Sequence, residues 1–130
     1  MKVVSIFGVT GSIGSQALDF IRSHNNIFSF HTFVCDKNFK LAKDFVDEFK
    51  PKYIYFSDKT ASEKFRKFKI SSTVLLQTYT ELKNVLLSEK SDIYLSAISS
   101  SNLLELTSLA ASSGGKLLLA NKAVSYTHLR

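Results

Sequence analysis

Short apolar runs alternate with amphipathic stretches along almost the whole chain. The first run, Val3–Phe7, is β-branched and aromatic, and it precedes a stretch whose apolar residues recur every three or four positions. A run of the first kind predicts a buried strand, and a recurrence of the second kind predicts a helix with one buried face. Because the same alternation continues to residue 119, we expect six strands separated by five helices.

These predicted elements define a fold class. The strands are expected at residues 3–7, 28–34, 53–56, 73–76, 93–98 and 116–119, and the helices at residues 12–23, 38–50, 60–68, 80–88 and 101–113. Pro51 ends the second helix because proline has no backbone N–H, and Gly114-Gly115 ends the fifth. Strands joined through helices form a parallel sheet with helices on both faces. The expected fold is therefore α/β, a doubly wound parallel sheet of the Rossmann-like, NAD(P)-binding kind.

A glycine-rich turn, residues 8–14, joins the first predicted strand to the first helix. Gly8 permits a backbone conformation that is closed to other residues. Gly11 has no side chain that would keep a ligand phosphate from the main chain, and Gly14 lets the helix pack closely on the strand. Three glycines at this spacing are weak evidence alone, but a strand before them and a helix after them favour phosphate binding. A tight turn without a ligand is the alternative.

The start of this helix carries further features of an anion site. Thr10 and Ser12 are placed either to cap the helix with a hydroxyl or to donate a hydrogen bond to a phosphate oxygen. The unpaired N–H groups and the positive end of the helix dipole attract negative charge.

The loop after the second predicted strand contains residues of opposite preference. Asp36 is typical of sites that bind the ribose hydroxyls of NAD, whereas Lys37 and Asn38 favour the additional phosphate of NADP. The alternative is that residues 36–38 only cap the next helix.

Two later strand ends are also candidates. The small polar loop at residues 97–102 would let a cofactor pass close to the backbone, although an ordinary capping loop looks the same. Asn121 and Lys122 follow the sixth strand, where a lysine can hold an anionic substrate or a carbonyl oxygen. Considered alone, a lysine at this position is more often a surface residue.

The net charge of +6 raises the question of nucleic-acid binding. Its lysines mostly stand beside acidic residues on the polar faces of predicted helices, which is typical of solvated surfaces. The densest basic segment, Lys64–Lys69, contains Phe65 and Phe68 at the spacing of a buried helical stripe. We therefore expect no nucleic-acid partner.

Other features exclude further classes of protein. No apolar run approaches the length of a membrane span, and no charged leader with a cleavage site precedes the first strand, so we expect a cytoplasmic protein without a membrane partner. The single cysteine, Cys35, excludes an internal disulfide and is expected to be a buried side chain and not a nucleophile. His24 and His31 have no companions at metal-binding spacing, and we expect no metal site in the chain.

Several of these segments together resemble a known family. Residues 8–14, Leu18-Asp19, Lys37-Asn38, residues 50–53, Ala97-Ile98 and residues 119–122 are similar, in order and spacing, to the amino-terminal domain of the 1-deoxy-D-xylulose 5-phosphate reductoisomerases. This family makes 2-C-methyl-D-erythritol 4-phosphate in non-mevalonate isoprenoid biosynthesis. It does so by skeletal rearrangement and hydride transfer from NADPH, with a divalent metal.

The resemblance implies roles for individual residues. The turn residues Gly8, Thr10, Gly11, Ser12 and Ile13 would bind the cofactor around its pyrophosphate, Lys37 and Asn38 its 2′-phosphate, Asn121 its nicotinamide side, and Lys122 the sugar-phosphate substrate. It also implies NADPH as the cofactor, despite Asp36, which stands where the family often has glycine.

The resemblance extends from Met1 to Lys122, so residues 1–122 are expected to form an NADPH-binding domain. Ala123 stands where the family has glutamate, and residues 123–130 are expected to be a non-native tail. The family's metal ligands lie beyond this segment. We therefore expect no catalytic or metal-binding residues in this fragment, no catalysis by it alone, and a metal (Mg, Mn or Co) and homodimer only for a full-length enzyme. Another NAD(P)-dependent oxidoreductase domain and a non-catalytic nucleotide-binding domain are the alternatives.

Overall fold

The computed structural model describes residues 2–24, 27–70, 72–97, 106, 108–109 and 116–119. Within these residues strands and helices alternate. The strands are β1 (Lys2–Phe7), β2 (Phe28–Cys35), β3 (Tyr53–Phe56), β4 (Val74–Leu76), β5 (Ile93–Ser96) and β6 (Lys116–Leu119). The helices with described bounds are α1 (Ser12–Arg22), α2 (Phe39–Phe49), α3 (Lys59–Phe65) and α4 (Tyr79–Ser88).

The predicted elements are all present where the structure describes them, with small differences at their ends. Strands β3 and β6 have the predicted bounds, whereas β5 ends at Ser96. Helix α3 ends at Phe65 and not at Phe68, because the N–H groups of Lys67 and Phe68 bond to carbonyls three residues back. Hydrogen bonds to the carbonyl three residues back, in place of four, are typical of the last turn of an α-helix. Residues 106 and 108–109 are helical, as predicted, but the ends of that helix lie outside the described residues.

The six strands form one sheet in the order β4-β3-β2-β1-β5-β6, and every neighbouring pair is parallel. The chain moves outward from β1 through β2, β3 and β4, and then returns to place β5 on the other side of β1. This order confirms the predicted doubly wound parallel sheet. The strand order reverses between β1 and β5, and this is where such sheets bind ligands.

Apolar residues cover both faces of the sheet. One cluster contains residues of α1, α2 and α3 and includes Phe33 and Phe45, and the other lies against α4 and includes Phe7, Leu82 and Tyr94. Strand β2 has six consecutive buried residues. A strand that is covered on both faces needs such a continuous run, because neither face meets water.

Helix α1 lies unusually close to the end of β1. A Cβ atom on Gly14 would lie 2.2 Å from the carbonyl oxygen of Gly8 and 2.9 Å from the Cα of Val9. Backbone atoms cannot yield as a flexible side chain can, so any residue with a Cβ would push the helix away from the turn. The predicted packing role of Gly14 is confirmed, and this contact determines where α1 begins relative to the sheet.

A cluster of polar side chains connects the end of α4 to the sheet, near the amino-terminal ends of its strands and away from the glycine turn. Glu89, directly after α4, accepts hydrogen bonds from the Lys52 ammonium at 2.6 Å and the Tyr53 hydroxyl at 3.0 Å, and its carboxylate lies 3.1 Å from Nε2 of His31. The Lys52 ammonium, followed by His31, lowers the pKa of Glu89 to about 2, although its side chain is 36% exposed. The carboxylate is thus more stable in the folded protein than in an unfolded chain.

Replacing Gly14 with alanine should destabilise the fold. We expect Gly14→Ala to lower the free energy of unfolding by about 2 kcal/mol or more, because overpacking against backbone outweighs the better helix propensity of alanine. Gly11→Ala is the matched control: its Cβ would meet only the Gly8 carbonyl oxygen, at an ordinary 3.5 Å. Denaturant unfolding of both variants tests this. Equal stability of Gly14→Ala and the unmodified chain would contradict the packing role.

The Glu89 cluster predicts a pH-dependent stability. Because the folded-state pKa of Glu89 lies near 2 and its ordinary value is 4.5, its contribution is complete above about pH 5 and declines as the pH falls toward 2. We expect Glu89→Gln to lower the unfolding midpoint at neutral pH, and the difference from the unmodified chain to shrink in acid. Glu63→Gln, on the exposed side of α3, is the control. A difference independent of pH would argue against this electrostatic contribution.

Candidate functional site

The carboxyl ends of β1 and β5 lie side by side at the point where the strand order reverses. The glycine turn follows β1 there. On the β5 side the N–H of Ala97 donates to the carbonyl of Phe7 at 2.8 Å, and the rest of the predicted loop at residues 97–102 lies outside the described residues. In open α/β sheets, nucleotides bind at such a reversal of the strand order, beyond the carboxyl ends of the strands.

The glycine turn is held by strand β2. Gly8 has a φ of 88°, a conformation that favours glycine, as predicted. The N–H groups of Gly8 and Val9 both donate to the carbonyl of Val34, at 2.7 and 3.0 Å, and the Val9 side chain is fully buried. The turn is therefore anchored by backbone hydrogen bonds and by one apolar side chain.

Helix α1 begins without a side-chain cap. Its N-cap residue is Gly11, and no side chain bonds to the first turn. Of the two roles predicted for Thr10 and Ser12, capping is therefore excluded, because the capping position is occupied by a residue without a side chain. Donation to a phosphate oxygen stays a prediction. Within the described part of the chain, the N–H groups of Ser12, Ile13 and Gly14 have no hydrogen-bond partner. Such N–H groups at the positive end of a helix dipole suit an anion.

Gly11 differs from the other two glycines of the turn. Its φ of −73° is open to any residue, and an added Cβ would make only an ordinary contact with the protein. The described structure therefore does not require glycine here. Gly11 is exposed beside the unpaired N–H groups, and the close approach of a ligand to its main chain stays a prediction.

The loop after β2 has three residues with different surroundings. The Asn38 side-chain oxygen accepts from the N–H of Leu41 at 3.1 Å, so the capping alternative holds for Asn38. Its amide NH₂ group is still a hydrogen-bond donor. Asp36 accepts a hydrogen bond from the hydroxyl of Ser57 at 2.9 Å. Lys37 is exposed, and its ammonium group has no partner among the residues described.

Ser57 is the residue in this region that the sequence analysis missed. It directly follows β3, which lies next to β2, so its nearness to Asp36 follows from the strand order. This pair could have been found from the sequence, because residues that follow neighbouring parallel strands lie close together at the carboxyl end of the sheet.

The remaining candidates lie elsewhere. Asn121 and Lys122 are outside the described residues. Cys35 is buried, as expected, and burial raises the pKa of its thiol, so it is not a nucleophile near neutral pH. His24 stacks on Phe20, and His31 belongs to the Glu89 cluster.

The described residues contain no group of three or more histidine, cysteine or acidic side chains arranged to hold a metal ion. Among them, no helix is both long and apolar enough to cross a membrane. Phe65 is fully buried and Phe68 packs against the same core, which confirms the structural interpretation of these two aromatic residues in the basic segment.

Solved structures share this architecture. The 1-deoxy-D-xylulose 5-phosphate reductoisomerase from Zymomonas mobilis in complex with NADPH superposes with a TM-score of 0.84 and 24% identity, over 94% of this chain and 32% of that one. A second reductoisomerase structure, in complex with NADPH, fosmidomycin and magnesium, gives a TM-score of 0.79 and 29% identity, over 93% and 30% of the two chains.

Curated proteins agree with the structures. The reductoisomerase of Clostridium botulinum (strain Eklund 17B / Type B) is 33% identical over 125 residues, 94% of this chain and 32% of the relative, and that of Clostridium acetobutylicum is 34% identical over 128 residues, with the same coverage. The chain thus spans about a third of the length of these relatives. The family model of 1-deoxy-D-xylulose 5-phosphate reductoisomerase matches residues 4–124. Since this match covers most of the sequence, the chain belongs to the 1-deoxy-D-xylulose 5-phosphate reductoisomerase family.

Proposed function

We propose that this chain is the NADPH-binding part of a 1-deoxy-D-xylulose 5-phosphate reductoisomerase. The observation that carries the proposal is the glycine turn: unpaired N–H groups of Ser12, Ile13 and Gly14 stand at the strand-order reversal, beside a Gly11 that the fold itself does not require. Backbone donors without a capping side chain suit the pyrophosphate of a dinucleotide.

Each end of the cofactor has its own residues in this proposal. Gly8, Thr10, Gly11, Ser12 and Ile13 surround the pyrophosphate, with the Thr10 and Ser12 hydroxyls as additional donors. The Lys37 ammonium and the Asn38 amide bind the 2′-phosphate, since Lys37 is exposed and without a partner among the described residues. Asn121 contacts the nicotinamide side, by its position in the family motif. The NADPH complexes of the reductoisomerases that share this fold support the choice of cofactor.

The whole enzyme would convert 1-deoxy-D-xylulose 5-phosphate to 2-C-methyl-D-erythritol 4-phosphate, a step of non-mevalonate isoprenoid biosynthesis. NADPH supplies the hydride when it is bound. We propose that residues 1–122 are the cofactor-binding domain, that Lys122 binds the sugar phosphate, and that residues 123–130 take no part. The divalent metal ligands and the homodimer contacts would belong to the other two-thirds of such an enzyme, which acts in the cytoplasm and needs no nucleic-acid or membrane partner.

Titration of the purified chain with NADPH and NADH, followed by nicotinamide fluorescence, tests the proposal. We expect tighter binding of NADPH and no detectable binding after Thr10→Asp, because a carboxylate beside the pyrophosphate repels it. Lys37→Ala should weaken NADPH about tenfold, since a charge-assisted bond to the 2′-phosphate is lost, and should leave NADH almost unchanged.

Lys40→Ala, an exposed lysine on α2, is the matched control for charge and should leave both affinities unchanged. A folded chain that binds neither nucleotide would contradict the proposal. Equal affinity for the two would favour a different NAD(P)-dependent oxidoreductase.

A further inference from the structure

Asp36 is at odds with a site for NADPH. A carboxylate after the second strand of such a sheet ordinarily bonds to the ribose hydroxyls of NAD, and it would repel the additional phosphate of NADP. If the chain has the proposed function, it must therefore bind NADPH with the Asp36 carboxylate in this loop.

Ser57 binds the Asp36 carboxylate from a fixed position. The Ser57 hydroxyl donates to Oδ1 of Asp36 at 2.9 Å and makes a longer contact, 3.3 Å, with the carbonyl oxygen of Cys35. The Ser57 N–H donates to the same Cys35 carbonyl at 2.8 Å. Cys35 and Phe56 are partners in the parallel register of β2 and β3. The Ser57 backbone therefore continues the sheet ladder, and this ladder aligns the hydroxyl with the loop after β2.

The strand order gives this hydrogen bond a direction. Strand β3 lies on the side of β2 that is opposite to β1, and the glycine turn follows β1. The bond to Ser57 thus holds the carboxylate toward β3, away from the turn that would bind the pyrophosphate.

The other two residues of the loop are arranged differently. Asn38 is tied to the first turn of α2 through Leu41, and the Lys37 ammonium has no partner within the described ranges. With Asp36 bound to Ser57, the groups of this loop that remain available to an anion are the Lys37 ammonium and the amide NH₂ group of Asn38.

We propose that Ser57 is a positioning residue for cofactor choice. By holding the Asp36 carboxylate on the β3 side, it leaves Lys37 to the 2′-phosphate and so preserves a preference for NADPH over NADH. Release of the carboxylate would bring a negative charge closer to the 2′-phosphate and offer an acceptor to the ribose hydroxyls of NADH.

Dissociation constants of NADPH and NADH for the unmodified chain and its variants test the inference, with adenosine 2′,5′-bisphosphate and 5′-AMP as probes of the 2′-phosphate alone. We expect Ser57→Ala to reduce the NADPH preference about three- to tenfold, as moving a charge by several ångströms in a solvated site predicts. Asp36→Asn should increase that preference. In the Asp36→Asn background, Ser57→Ala should have no further effect, because no carboxylate is left to release.

Ser57→Thr retains the hydroxyl and should retain the preference, which separates loss of the bond from a general effect on folding. Ser88→Ala and Asp44→Asn, at exposed helical positions, are the matched controls for the lost hydroxyl and the lost charge. Thermal unfolding of each variant verifies that it is folded.

Two results would overturn the inference and leave NADPH binding by the unmodified chain intact. The first is a Ser57→Ala preference equal to that of Ser88→Ala. The second is an unchanged effect of Ser57→Ala in the Asp36→Asn background, which would mean that Ser57 acts without Asp36. An unmodified, folded chain that binds no nicotinamide nucleotide would instead remove the proposed function, and this inference with it.

Discussion

The close contact between Gly14 and the backbone of the glycine turn is the constraint on which the rest of the site depends. With no room for a Cβ atom, the first turn of α1 lies directly against the end of β1. The unpaired N–H groups of the helix therefore stand at the strand-order reversal. The Val34 carbonyl holds the other side of the turn through two hydrogen bonds, so the position of β2 and the position of these donors are linked. The placement of these N–H groups is a consequence of main-chain packing.

The amino-terminal and carboxyl ends of the parallel strands differ in whether their polar groups have hydrogen-bond partners. At the amino-terminal ends of the strands, the Glu89 carboxylate is hydrogen-bonded to Lys52, Tyr53 and His31, so its oxygens have partners within the protein. At the carboxyl edge, the first N–H groups of α1 have no partner within the described residues. The Glu89 cluster, whose hydrogen bonds are formed within the protein, contributes to stability, whereas the unpaired N–H groups at the start of α1 suit a ligand. The same fold therefore separates what stabilises it from what it can bind.

The alternation of apolar runs and amphipathic stretches was sufficient to predict the parallel sheet, because each strand must be covered on both faces and each helix on one. The position of the glycines between the first strand and the first helix was sufficient to predict the roles of Gly8 and Gly14, which follow from local conformation and packing. Residue type did not decide the helix cap, because Thr10, Gly11 and Ser12 are all acceptable caps. Ser57 was missed for another reason: its partner Asp36 follows a neighbouring strand, 21 residues away in sequence, and periodicity within one element carries no information on such a pair.

The three glycines of the turn also show how far a fold explains a sequence. Gly8 is required by its positive φ, and Gly14 by the backbone that it touches. Gly11 satisfies neither condition, since its φ is ordinary and a Cβ would fit. Folding therefore requires glycine at two of these positions and not at the third, because the N-cap position of Gly11 also accepts other residues. A ligand phosphate that approaches the main chain at Gly11 would explain why glycine stands at this position, because the phosphate and a side chain would compete for the same space.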